Sequence, residues 1–101
     1  MVVGVLQIRL LIRDATSLKD KRRIVRSLRD HIRNEFNVSA SEVDALDKWQ
    51  LAVLGVAVAT NDRVFADQVL AKVVDLVRRS PGARQWRLQI GRVIDGMRPG
   101  V

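Results

Sequence analysis

Arg22, Arg26, Arg29 and Arg33 follow i, i+4, i+7, i+11 spacing, so on a helix their side chains form one ridge, with Lys19 at its start. Guanidinium forks match phosphate oxygens, and a straight basic ridge can track a nucleic-acid backbone. The bland reading is a solvated helix face. Residues 17–36 hold seven Lys or Arg against three acids, which is +4 of the chain's +7. One segment therefore carries over half the imbalance behind a sequence pI near 11.3, and a polyanionic partner or surface is favoured. Of the acids, only Asp30 falls near the ridge. Lys21 is the odd member, because its helical angle lies within the apolar stripe of the same segment. Either it snorkels from the first turn, which is the simpler expectation, or it points at a site between helix and sheet edge. The residues expected to meet nucleic acid are Lys19, Lys21, Arg22, Arg26, Arg29 and Arg33.

Other residue sets offer less. Glu42 and Asp44, two apart on a strand, are expected to share a face, where with Asp47 they could hold a hard cation or act as acid and base. A polar turn is the commoner use, and no nucleophile or histidine lies nearby in sequence. His31, the single histidine, is expected at the far margin of the apolar stripe as a half-buried structural residue. Trp49 and Trp86 could stack bases, yet each is expected to begin a strand and to close the core end or a dimer interface. Asn61 and Asp62 read as a helix cap. No catalytic residue, metal or cofactor is expected.

The elements that must position these groups follow from periodicity. Residues 2–12 alternate, with Leu6, Ile8, Leu10 and Ile12 on one face and Val3, Val5, Gln7 and Arg9 on the other. Ser17 with Asp20 resembles a capping box and starts a helix running to about Phe36. Leu18, Val25, Leu28, Ile32 and Phe36 make its core stripe, with Ile24 on the margin. "NVSASEV" and the longer "WQLAVLGVAVAT" read as strands, with Gly55 marking a bulge or a close backbone approach. Phe65, Val69, Val73, Leu76 and Val77 recur with helical period up to "SPG". "WRLQIGRVI" alternates as a last strand, and residues 96–101 form a short tail.

The order β-α-β-β-α-β is the ferredoxin-like plan, an α+β sandwich with a four-stranded antiparallel sheet and two helices on one face, here as a single domain over residues 1–95. The other sheet face is expected to be too apolar for a solvated one, because the third strand is apolar on both sides, Leu51, Val53 and Ala57 opposed to Leu54, Val56 and Val58, and the first strand adds Val3 and Val5. A homodimer through that face is expected.

Composition narrows the rest. At 101 residues, 48% hydrophobic and 29% charged, the chain is long enough for one core and too apolar for wholesale disorder. It has no cysteine, so disulfides, thiolate zinc sites and cysteine nucleophiles are excluded and a cytoplasmic setting is expected. The apolar start "MVVGVLQIRLLIRD" lacks a basic n-region and a cleavage site, and reads as a strand rather than a signal peptide or membrane span.

The stretches "SLKDKRRIVRSL", "FNVSASEVD" and "WQLAVLGVAVATND", in that order, resemble the YlxP-like family, a small bacterial domain family of unknown function. The resemblance runs from Met1 to about Arg79. It implies a ferredoxin-like fold and, from the usual neighbourhood of the family's genes, a connection to RNA or the ribosome; no activity comes with it. An RNA-recognition motif would place aromatics on its third strand, and "LGVAVAT" has none. An acylphosphatase-like enzyme would need a phosphate-cradling turn, and "RDATSLKD" has no glycine to form one. The expected function is non-enzymatic binding of structured RNA or a ribosomal particle through the Arg ridge. The alternative is a homodimeric assembly module that meets an acidic protein.

Overall fold

The computed structural model describes residues 1–80, 82 and 86–96, with side-chain surroundings described as far as Gly91. The elements are β1 (Val2–Ile12), α1 (Leu18–Glu35), β2 (Ser39–Asp44), β3 (Leu51–Thr60), α2 (Arg63–Arg79) and β4 (Trp86–Gly96). They form one four-stranded sheet in the order β2-β3-β1-β4, antiparallel at every pairing. Two split β-α-β units interleave: β1-α1-β2 spans β3, and β3-α2-β4 spans β1. Right-handed crossovers then place both helices on the same face, as the expected ferredoxin-like plan requires. Of the expected tail, Gly96 belongs to β4 and the remainder lies outside the described residues.

Local chemistry accounts for the helix ends. Ser17 Oγ accepts from Asp20 N at 3.1 Å and caps α1. The Asp20 carboxylate does not close the box on Ser17. It reaches one residue further and accepts from Thr16 Oγ1 at 2.6 Å and Thr16 N at 3.3 Å. At α2, Asp62 Oδ1 accepts from Val64 N at 2.9 Å and Phe65 N at 3.4 Å, so Asp62 is the cap.

The core lies between sheet and helices. Leu6, Ile8, Leu10 and Ile12 of β1 and Ala52, Leu54, Val56 and Val58 of β3 are buried against Val25, Leu28 and Ile32 of α1 and Ala66, Leu70, Val73, Leu76 and Val77 of α2. The α2 stripe differs from expectation at its start. Phe65 is 50% exposed, and Ala66 and Leu70 take the core positions. The reason lies at Gly4, where an added Cβ would sit 3.0 Å from Leu70 Cδ1 and 3.5 Å from Ala66 Cβ. The first turns of α2 approach β1 too closely to seat an aromatic ring.

The opposite sheet face has no helix over it. Directly paired residues share a face, so this open face carries Val3, Val5, Gln7, Arg9 and Leu11 from β1 beside Ala59, Ala57, Gly55, Val53 and Leu51 from β3. Val5 is 43% and Leu11 45% exposed, whereas Val53 is buried. Val53 lies in a shallow hollow bounded by Arg9, Val43, Leu51 and residues 44–48.

A candidate phosphate-binding ridge on the first helix

The outward side of α1 presents Arg22, Arg26 and Arg33, all exposed, with Lys19 exposed at the row's start. From Arg22 to Arg33 the row is about 16 Å long at the helical rise. Arg29 is set apart from the other three. Its Nε and Nη2 donate to Asp30 Oδ1 at 3.1 and 3.0 Å, and its side chain is only 31% exposed. Arg22, Arg23 and Arg26, with Lys19, Asp20, Ser27 and Asp30, line a shallow open concavity along the helix. The Thr16 hydroxyl and amide bonds hold the Asp20 carboxyl below its usual range, and the Arg23 and Lys19 charges act in the same direction. Asp20 thus stays ionised at the α1 N-terminus, where the helix dipole favours it.

Lys21 corrects the simpler expectation for its position and points instead between α1 and the edge strand β2, as the other reading had it. It is fully buried, neither snorkelling to solvent nor facing the ridge. Its Nζ donates to Ala45 O at 2.8 Å, Leu51 O at 3.2 Å and Leu46 O at 3.3 Å. Glu42 Oε2 lies 2.8 Å from the same nitrogen. Three protons are thus shared among four acceptors, and the carboxylate, at charge-assisted hydrogen-bond distance, neutralises the buried charge. Lys21 does not belong to the candidate nucleic-acid set. It is the peg on which the β2–β3 turn hangs.

That turn is tied at further points. Ala45 sits at φ 57°, a left-handed conformation uncommon for a residue with a side chain, and its N–H donates to Asp44 Oδ1 at 2.7 Å. Lys48 N donates to Ala45 O at 3.0 Å, and Gln50 joins the end of β1 through Ile12 N to Gln50 O at 2.8 Å and Gln50 Nε2 to Arg13 O at 3.1 Å.

The acidic cluster is also corrected. A register shift between Glu42 and Asp44 makes Val43 the extra residue of a bulge, with Glu42 paired to Leu54 and Asp44 to Val53. Leu54 faces the helices and Val53 the open face, so the two carboxylates point to opposite sides of the sheet. Asp47 is exposed in the turn. Among the described residues, no group of three His, Cys, Asp or Glu side chains is placed to hold a metal ion. At Gly55 the close approach is made by a side chain rather than by backbone, since an added Cβ would lie 2.8 Å from Val43 Cγ1. The bulge itself is in β2.

His31 is exposed rather than half-buried. It lines a hollow between α1 and the start of β4, with Arg23, Ser27, Ser80 and Trp86. Trp49 lies in the turn before β3 and is 55% exposed, so it begins no strand. Trp86 does begin β4 and packs on the core, although its Nε1 is buried without a hydrogen-bond partner among the described residues. Sequence reasoning missed Lys21 as an internal anchor. A cation within an apolar stripe was its one visible signal.

The profile of a family described as "Protein of unknown function (DUF503)" matches residues 3–90. The chain belongs to the DUF503 family. The match extends beyond the expected Arg79 into β4 and takes in both α1 and the Lys21 anchor. This DUF503 chain is 32% identical over 80 residues to the uncharacterized protein YlxP of Bacillus subtilis (strain 168), covering 79% of this chain and 87% of that protein. Among solved structures, the de novo designed protein LFR1 1 with a ferredoxin fold aligns at a TM-score of 0.53 and 13% identity, covering 100% of this chain and 91% of that one. A dimeric ferredoxin-like protein from an uncultured marine organism aligns at 0.51 and 10%, covering 97% and 99%. At such identities the structural likeness shows the fold alone. Among the described residues, no helix is long and apolar enough to cross a membrane.

Proposed function

We propose that this DUF503 chain is a non-enzymatic cytoplasmic module that binds structured RNA, free or within a ribosomal particle, through α1. One observation carries this reading: Lys19, Arg22, Arg26 and Arg33 stand exposed in a row on the outward face of a helix anchored from behind by Lys21. Such a row neutralises phosphates without reading bases. Arg29, already paired with Asp30, contributes less. The working unit is a homodimer joined through the open sheet face, which leaves both α1 helices outward.

The test is a salt titration of binding to a ribosomal RNA fragment. With about three neutralised phosphates, the log-log slope is expected near −2 to −3. Replacing Arg22, Arg26 and Arg33 with Gln should flatten it, and Lys replacements should retain much of the binding, because point charges still neutralise phosphate. Equal affinity and equal slope for wild type and the Gln variant would sink the RNA reading. Co-purification with ribosomal particles that survives nuclease treatment would point instead to an acidic protein partner.

A further inference from the structure

We infer that the occupant of the open sheet face is a second copy of this chain, related by a two-fold axis running parallel to the strands between β1 and β3. This rests on the homodimer reading above and specifies its packing. The argument begins with the unequal relief of the two central strands. On the open face β1 offers Val3, Val5, Gln7, Arg9 and Leu11, whereas the paired positions of β3 are Ala59, Ala57, Gly55, Val53 and Leu51. From Gln7 to the Thr60 end, one strand is high and its neighbour low.

A two-fold along the strands lays β1 of one protomer over β3 of its partner at the same level. Val5 then meets the low position at Ala57, and Leu11 meets Leu51. The same operation lays β2 over β4. Val43, 54% exposed and leaning over Gly55, comes to the level of Gly91, beside which an added Cβ would meet nothing within 4 Å. Charge follows the same rule only in part: Asp44, level with Val53 and Arg9, comes to the level of Gln89 on β4, one same-face step along the strand from Arg87. An axis across the strands would instead set β1 on β1 and β3 on β3, bulky on bulky and small on small. Aligned sheets rotate by roughly 30° where they pack, so the match is best near the central rows.

The area is adequate. Four strands at about 4.8 Å and ten residues at about 3.3 Å cover roughly 600 Å² per partner, the low end of a specific interface, so dissociation in the micromolar range is expected. Both α1 ridges then face away from the interface. The dimer presents two phosphate-binding rows on opposite sides.

The chain has no cysteine, which makes cross-linking decisive. With sheets about 10 Å apart, the two Gln7 Cα atoms lie roughly 11 Å from each other across the axis. Gln7→Cys should give a cross-linked dimer with a short bismaleimide, whereas Gln68→Cys, on the exposed side of α2, should not. Sedimentation should show Val5→Arg and Gly91→Lys each raising the dissociation constant at least tenfold. Gly91 has open space on its own chain, so that variant reports the interface rather than the fold. A dimer that tolerates both substitutions and resists cross-linking at position 7 overturns this packing and keeps the homodimer. Wild type that stays monomeric across micromolar concentrations overturns both. The Val5→Arg monomer should bind RNA with an unchanged salt slope per chain, which keeps a failure of the ridge distinct from a failure of the dimer.

Discussion

Lys21 and Arg22 are adjacent in sequence and carry the same charge, yet α1 sends one into the core and the other into solvent. At Lys21 the donors are spent on the carbonyls of Ala45, Leu46 and Leu51 and on the Glu42 carboxylate. At Arg22 the guanidinium is exposed beside Arg26. The pair teaches that a cation's type and spacing say little until its solvation is known. Stripped of water, it must find internal acceptors and becomes part of the architecture; left in water, it keeps its capacity for a ligand. The two roles cooperate, because the buried lysine fixes the helix that displays the arginines.

Unfolding measurements should separate them sharply. Lys21→Met keeps much of the stem but leaves Glu42 and three carbonyls unsatisfied, and a loss of about 3–5 kcal/mol in urea unfolding is expected. A loss under 1 kcal/mol would mean that the turn does not hang on this residue. Glu42→Gln keeps the carbonyl bonds and removes only the counter-charge, so about 1–3 kcal/mol is expected, with Asp44→Ala on the opposite side of the sheet costing less. Equal effects at positions 42 and 44 would contradict the bulge that separates them.

On the outer face, the triple Gln variant of Arg22, Arg26 and Arg33 should stay within about 0.5 kcal/mol of wild type per site while losing RNA affinity. A stability loss as large as that of Lys21→Met would erase the distinction between the two regions. The smallest effect concerns Asp20. Its carboxyl is held below the ordinary value by Thr16, so its contribution is complete above the unfolded value of about 3.9 and is lost as pH falls through the lower folded one. Asp20→Asn should therefore remove a slight acid-dependent part of stability, seen as a flatter urea midpoint between pH 5 and pH 2, and should leave the neutral-pH salt slope of RNA binding nearly unchanged.

Much of this protein was legible in its sequence, because strand and helix periods are local. The alternation of Leu6, Ile8, Leu10 and Ile12, the stripe of Val25, Leu28 and Ile32, and the caps Ser17 and Asp62 each depend on residues a few positions apart, and together they determine the element order and the sandwich. The Arg ridge was legible for the same reason, since i, i+4 spacing places residues on a helix whatever surrounds it. The tertiary structure decided what distant residues impose. Lys21 is buried because carbonyls 24, 25 and 30 positions away converge on its nitrogen. Glu42 and Asp44 part company because one extra residue in β2 reverses the alternation. Phe65 is left in solvent because Gly4 admits the start of α2 too close to the sheet. Local pattern sets which face a residue can take, and only the neighbours brought by folding set whether that face is wet, paired or filled.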